Sequence, residues 1–171
     1  MIEFTKCHGA GNAYLFIDCL DSPPPPDPAG LSVRMSERHF GAGADGIVLI
    51  LPPSVVGNHC RMRMFNADGS EAEMCGNAIR CVAKLVHDRE RIAADPLKIE
   101  TGAGVLTLKL HLAADGKVES ARVDMGRPRL LPAEVGVNLP GQRVLEHALT
   151  IEDREFRINC VSMGNPHTVI F

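Results

Sequence analysis

Residues Glu71–Cys81 read "EAEMCGNAIRC", and two cysteines six positions apart invite two different assignments. After Cys75 come Gly76 and Asn77, and then Ile79, Val82, Ala83 and Val86 fall at i, i+3, i+4 and i+7. That spacing predicts a helix from Cys75 to about His87 with one apolar face. Cys81 lies inside the apolar periodicity and is expected in the core. Cys75 stands on the first turn, where backbone N–H groups lack intrahelical partners and the positive end of the helix dipole emerges.

Working outward, most of the chain reads as strands. Glu3–Cys7 and Ala13–Cys19 flank the turn "HGAGN"; "DSPPPPDPAG" is an extended proline-rich loop; "LSVRMSERHF" is helical. The strands "GIVLIL" and "CRMRMFN" precede the helix, with "ADGS" as a tight turn. Beyond it, "LKIETGAGVLTLKLHL" predicts two strands around Thr101–Gly104, and "KVESARVDMG" a third. "RPRLLPAEVGVNLPGQ" reads as loop, and "EFRINCVSMGNPHTVIF" as two strands parted by Gly164, Asn165 and Pro166. The fold class is α+β, strand-dominated, with one well-marked central helix.

"GAGADG" (Gly41, Gly43, Gly46) matches the dinucleotide-binding pattern by letters only. That fingerprint needs a strand before it and a helix after it. Here the order is reversed, so the glycines are read as a tight helix-to-strand turn.

Composition narrows the class. A length of 171 residues fits one domain, or one domain and part of another, and 45 % hydrophobic residues can bury a real core. A formal charge of −3 gives no reason to expect a nucleic-acid partner. No apolar run approaches the ~20 residues of a membrane span, and the N-terminal residues do not form a secretory signal. The expectation is a soluble cytoplasmic protein. The six cysteines lack zinc spacing and an export context, so neither a metal site nor a disulfide framework is expected.

A thiol at a helix N-terminus is biased toward thiolate, a better base or nucleophile. The same N–H groups can hold a carboxylate, and Gly76 lets it approach. Asn66 ends a strand before the turn that leads back to Cys75, and is either a turn-former or a ligand-binding group. Asn12, in "HGAGN", and Asn165 with His167, in "GNPH", carry the same ambiguity. Periodicity does not say whether they converge.

Together, "KCHGAGNAYLFID", "RHFGAGADGIVLI", "FNADGSEAEMCGNAIRC" and "SMGNPHTVIF" resemble the diaminopimelate epimerase family, in that family's order and across the whole chain. The resemblance implies a cofactor-independent isomerase of lysine and peptidoglycan biosynthesis that interconverts LL- and meso-2,6-diaminopimelate. It implies two similar α+β halves, each a β-barrel-like sheet around a central helix, with the active site between them. By that resemblance Cys75 is one of two catalytic cysteines, acting as base and acid on opposite faces of the α-carbon, and His167 assists. Gly76 and Asn77 would hold the α-carboxylate, and Asn12, Asn66 and Asn165 the polar ends of the substrate.

The sequence departs from the family pattern in three places. Many members have Asp where Ala13 stands, and some have Gln where Gly46 stands. The family's second half also carries a Cys-Gly-(Thr/Ser)-Gly block and a preceding Glu-Arg pair, neither of which occurs in these residues. Cys160, in "INCVSMG", is not that second cysteine. The expected organisation is therefore a first half over residues 1–120 and the beginning of a second half over 121–171, cut near Phe171 and inactive alone. A homodimer or a complementing second-half chain would be the partner. The rival assignments are a cysteine hydrolase or transferase using Cys75 and His167, a related proline-racemase-type isomerase, and a non-catalytic ligand-binding half-protein.

Overall fold

The computed structural model describes residues 2–170; Phe171, the last residue of the expected final strand, lies outside them. The chain divides into two compact units between Asp124 and Met125.

In the first unit, β1 (Thr5–Gly9) and β2 (Asn12–Asp18) form a hairpin; α1 (Pro28–Ser36) leads to β3 (Gly46–Leu51) and β4 (Cys60–Asn66). A two-residue β5 (Glu71–Ala72) precedes α2 (Gly76–Asp88), and β6 (Leu97–Thr101), β7 (Gly104–Leu112) and β8 (Val118–Val123) complete the sheet. Its order is β1-β2-β3-β4-β6-β7-β8, with β5 paired to β4. The β2–β3 and β4–β6 pairs are parallel and the others antiparallel. Each parallel step follows from a helix inserted between the strands, since parallel neighbours need a crossover.

Helix α2 packs against both β1 and β8, strands at opposite ends of the sheet order. The sheet therefore curls around this helix, a half-barrel about a central helix of the kind that the family resemblance implies. Polar clasps hold β8 to it: Lys84 Nζ donates to the Val118 carbonyl at 2.6 Å, and the Val118 N–H to Asp88 Oδ1 at 2.8 Å. Arg89 donates to Thr5 Oγ1 on the β1 side.

The helix buries Ala78, Ile79, Cys81, Val82, Ala83 and Val86 against Phe16, Val48, Met62, Met64, Ile99 and Leu108. Burying a Val or Ile side chain of this kind contributes about 1.5–3 kcal/mol, so this apolar stripe is what holds the helix within the sheet. The opposite face of the sheet packs Ile17, Leu49, Leu51 and Phe65 beneath Leu31 of α1. The two faces follow from strand alternation: in β4, Cys60, Met62 and Met64 turn toward α2 while Phe65 turns toward α1.

The first helix corrects the expected one at both ends. It begins at Pro28, inside the stretch read as extended loop, because Asp27 Oδ1 accepts from the Gly30 N–H at 2.9 Å and Pro occupies a first-turn position where no N–H is needed. It ends at Ser36, and Arg38–Phe40 form a turn in which Glu37 accepts the His39 N–H at 2.7 Å. The helix–turn–strand order around "GAGADG" is as expected. At Gly46 a Cβ would stand 2.0 Å from the Phe65 carbonyl oxygen, so the close β3–β4 pairing itself calls for glycine there.

The second unit holds a short 3-10 turn (Pro132–Val135), β9 (His147–Ile151), β10 (Arg154–Ser162) and β11 (Pro166–Ile170). Its sheet order is β11-β10-β9, antiparallel throughout. Val135, Val144, Ile158 and Cys160 form a small core. The 3-10 turn and β9 are absent from the sequence reading: the first lies within a proline-interrupted segment, and β9 is exposed along its length and lacks a buried face to signal it. The division between units follows β8 rather than splitting it at 120/121, since Arg122 and Val123 still pair with Lys109 and Leu108.

Candidate active site

Cys75 is the N-cap of α2, with extended backbone (φ −142°, ψ 117°) and a carbonyl that accepts the first helical bond from the Ile79 N–H at 3.0 Å. Its side chain makes no capping bond, and Cys is not a residue that caps well. The leading N–H groups of the helix thus have no side-chain cap of their own. That arrangement leaves an anion-receptive helix end beside a half-buried thiol.

The β1–β2 hairpin is fastened to this end. Asn77 Nδ2 donates to Asn12 Oδ1 at 2.8 Å, and Asn77 Oδ1 accepts from Arg80 at 2.5 Å. The approach is close enough that a Cβ on Gly9 would stand 2.7 Å from the Asn77 carbonyl oxygen. Gly11, at φ +93°, makes the tight hairpin turn in open space. Cys75, Gly76, Asn77 and Asn12 are therefore brought together.

Asn66 stands at the same end of the sheet. β2 begins at Asn12, β3 at Gly46, and the ladder pairs Gly46 with Asn66 at the end of β4. Asp45 links these strand ends: its carboxylate accepts the Ala13 N–H at 2.8 Å, its N–H donates to the Ala13 carbonyl at 2.7 Å, and its own carbonyl accepts from the Ala67 N–H at 3.0 Å. The Asn66 side chain is used within its own turn, Nδ2 donating to Ser70 Oγ at 3.0 Å, and Ser32 Oγ donates to its carbonyl at 2.8 Å. It is thus a turn-former placed on the rim.

Asn165 and His167 belong to the second unit, both exposed. Asn165 lies in the turn before β11, where its carbonyl accepts the Met163 N–H at 3.4 Å, and His167 pairs across the ladder with Val161. Cys160, on β10, is buried and lies 3.7 Å from Thr168 Oγ1.

The thiols differ by environment. Burial pushes Cys81 up to about 12, with its hydrogen-bonded neighbour Cys7 adding to the shift, and burial likewise pushes Cys60 up to about 12. Both stay protonated near neutrality and belong to the core. Cys7, half-buried on β1, packs against the same cluster as Cys75.

Two residues escaped the sequence reading. Asp45 lay hidden in the glycine pattern set aside as a turn, and its role as a link between strand ends is purely tertiary. Tyr14 is 6 % exposed and neighbours the Cys75 thiol; only its strand position, two residues after Asn12, hinted at it.

Residues 4–131 match the sequence profile of diaminopimelate epimerase. The chain belongs to the diaminopimelate epimerase family. A diaminopimelate epimerase of Pelotomaculum thermopropionicum is 51 % identical over 172 residues, covering 99 % of this chain and 60 % of that relative. One from Acetivibrio thermocellus is 45 % identical over 170 residues, covering 99 % and 59 %. The chain thus spans about three fifths of the length of the curated family members it matches. Among solved structures, a hydroxyproline epimerase from Agrobacterium vitis superposes with a TM-score of 0.71 at 16 % identity, over 99 % of this chain and 51 % of that one. At that identity the likeness is one of fold alone. Among the described residues, no helix is long and apolar enough to cross a membrane.

Proposed function

We propose that this chain supplies one acid/base group and the carboxylate-binding rim of a cofactor-independent diaminopimelate epimerase, acting in the cytoplasm. The observation that supports this reading best is the juxtaposition at the head of α2. A free thiol, an uncapped helix end and an Asn77–Asn12 clasp stand together in a chain of this family.

In this reading the substrate's α-carboxylate sits on the N–H groups of Gly76 and Asn77, where the helix dipole favours negative charge. Cys75 as thiolate removes the α-proton, or as thiol returns it, on one face of the α-carbon. The negative charge that develops toward the carboxylate is stabilised by donors already in place, so no electron-sink cofactor is required. Asn12, Asn66 and Asn165 hold polar ends of the substrate, and His167 assists the catalytic group. Inversion needs a second group on the opposite face. It comes from the portion that the relatives possess beyond this length, either on the same polypeptide or on a complementing chain.

The test is proton exchange at the α-carbon of 2,6-diaminopimelate in deuterated water. The 171-residue chain alone should leave LL- and meso-forms unchanged. Adding the carboxyl-terminal two fifths of the Pelotomaculum thermopropionicum relative should restore inversion, and Cys75→Ala should abolish it. Full inversion by the 171 residues alone overturns the reading. An acyl adduct on Cys75 from an activated ester, without α-proton exchange, would favour the cysteine hydrolase instead.

A further inference from the structure

Asn77 and Arg80 stand three positions apart near the start of α2, neighbours on the helix surface. The Arg80 guanidinium donates to Asn77 Oδ1 at 2.5 Å, and Asn77 Nδ2 donates to Asn12 Oδ1 at 2.8 Å. Arginine is an unexpected residue here. A long helical side chain leans back toward the helix N-terminus, where the dipole disfavours a cation, and the first turn of α2 carries no acidic residue to offset it. Arg80 also lines a recess with Glu119 of β8, yet among the described residues it forms no ion pair. Its guanidinium is directed at the Asn77 oxygen instead.

The chemistry of the three groups fixes a direction. An Asn amide has a donor end and an acceptor end, and turning it over exchanges them. By themselves, Asn77 and Asn12 could bond equally well with either one as the donor. Arginine has donors only, so Arg80 can meet Asn77 at the oxygen alone, and this turns Asn77 Nδ2 toward Asn12. Asn12 must then present Oδ1 inward to accept it. Asn12 is exposed, and the end of its amide left to offer is the donor Nδ2.

We propose that Arg80 is a positioning residue that acts through Asn77 to turn the Asn12 amide donor-outward, so that Asn12 selects an oxygen acceptor such as a carboxylate over an ammonium. An ammonium has donors and no acceptor, and meets no partner at Nδ2. Each end of 2,6-diaminopimelate carries both groups on one carbon. A donor fixed at one point of the rim decides which of the two sits there, and so how that carbon is presented. The inference deepens the epimerase reading and rests on it for the substrate, but the amide orientation is testable without one.

The first measurement is side-chain amide exchange, followed by NMR on the isotope-labelled 171-residue chain. The two amide signals are assigned by their loss in Asn12→Asp and Asn77→Asp. In the unaltered chain the Asn77 protons, bonded to Asn12, should exchange about tenfold more slowly than those of Asn12. Arg80→Met keeps the length and removes every donor, so the pair can invert and the two rates should converge. Arg80→Lys keeps a donor and should restore most of the difference. Slower exchange at Asn12 than at Asn77 in the unaltered chain would overturn the assignment, and that comparison stands even where Arg80→Met fails to fold. So would an Arg80→Met chain in which the difference persists, or in which both amides speed up alike.

The second measurement uses the complemented enzyme. Asn12→Asp keeps an oxygen for Asn77 to bond and replaces the outward donor by an acceptor. The denaturant midpoint of the 171-residue chain should hold, while KM for diaminopimelate rises about tenfold with kcat changed less. A KM equal to the parent's would overturn the selection of an acceptor. Converging exchange rates in a chain that supports no α-proton exchange keep the Arg80 assignment and lose the epimerase reading.

Discussion

The Asn77 amide donates to the Asn12 side-chain oxygen at 2.8 Å, joining residues 65 positions apart and tying the β1–β2 hairpin to the helix that Cys75 caps. Asn77 also accepts from Arg80, so its amide is oriented from both ends. A group held in this way keeps the first turn of α2 in register with the rim of the sheet.

Removing that clasp should loosen the rim more than the fold. Asn12→Ala breaks one exposed hydrogen bond and should cost only about 0.5–1 kcal/mol, read from the denaturant midpoint. In the complemented enzyme the same change should lower kcat/KM for diaminopimelate by tenfold or more. A loss of activity no larger than the loss of stability would show that Asn12 serves the fold alone.

Gly9→Ala offers a sharper structural test. The added methyl would meet the Asn77 carbonyl oxygen at 2.7 Å, and backbone on both sides cannot swing away. We expect a destabilisation of about 1–3 kcal/mol from overpacking, with faster amide exchange at the head of α2. An alanine variant as stable as the parent would mean that the hairpin and helix separate easily.

Glu100 gives the molecule a pH signature. Only 6 % exposed, its carboxylate accepts from Ser54 N–H at 3.0 Å, Ser54 Oγ at 2.5 Å, Val55 N–H at 2.8 Å and Asn58 Nδ2 at 2.9 Å. The Ser54 hydroxyl, followed by Asn58, holds its acidity down at about 2 against an ordinary 4.5. The folded state therefore binds this proton less readily than the unfolded state. The stabilisation is complete above about pH 4.5 and disappears as pH falls toward 2. Glu100→Gln should lower the unfolding midpoint clearly at pH 6, and the gap between variant and parent should narrow steadily across that window. A gap of constant size would indicate that the charge of Glu100 does not secure the 54–58 segment.

The cysteines should sort by reactivity. With iodoacetamide at about pH 8, Cys60 and Cys81, both pushed up to about 12 and buried, stay largely unmodified until the protein unfolds. Cys75 and Cys7, both half-buried, react first. Modification of Cys81 in the native state as fast as of Cys75 would contradict the placement of the two on different faces of the helix end.

Local spacing was enough for the helix of "EAEMCGNAIRC", for the assignment of Cys81 to the core, and for the fold class, because each rests on periodicity within a few residues. Strand existence was equally legible for β3, β4, β6, β7 and β8, from apolar runs or alternation, whereas the two-residue β5 was not read from the sequence. Where no apolar pattern marks an element, as at β9, the chain carries no local signal. The start of α1 was missed because Asp27 and Pro28 read as loop until the cap is seen to accept from Gly30.

What the sequence by itself determined is the chemistry available: a thiol at a helix start, a carboxylate-receptive end beside it, and asparagines at the ends of strands. What only the tertiary structure decided is which of these share a space. Register and sheet curl bring Asn12, Asn66, Asp45 and Tyr14 to the end where Cys75 sits, although they are scattered over more than sixty positions. The reason is physical. Periodicity encodes which face of an element is buried, but meeting another element depends on long-range pairing and on hydrogen bonds such as Asn77–Asn12, which no short window of sequence contains.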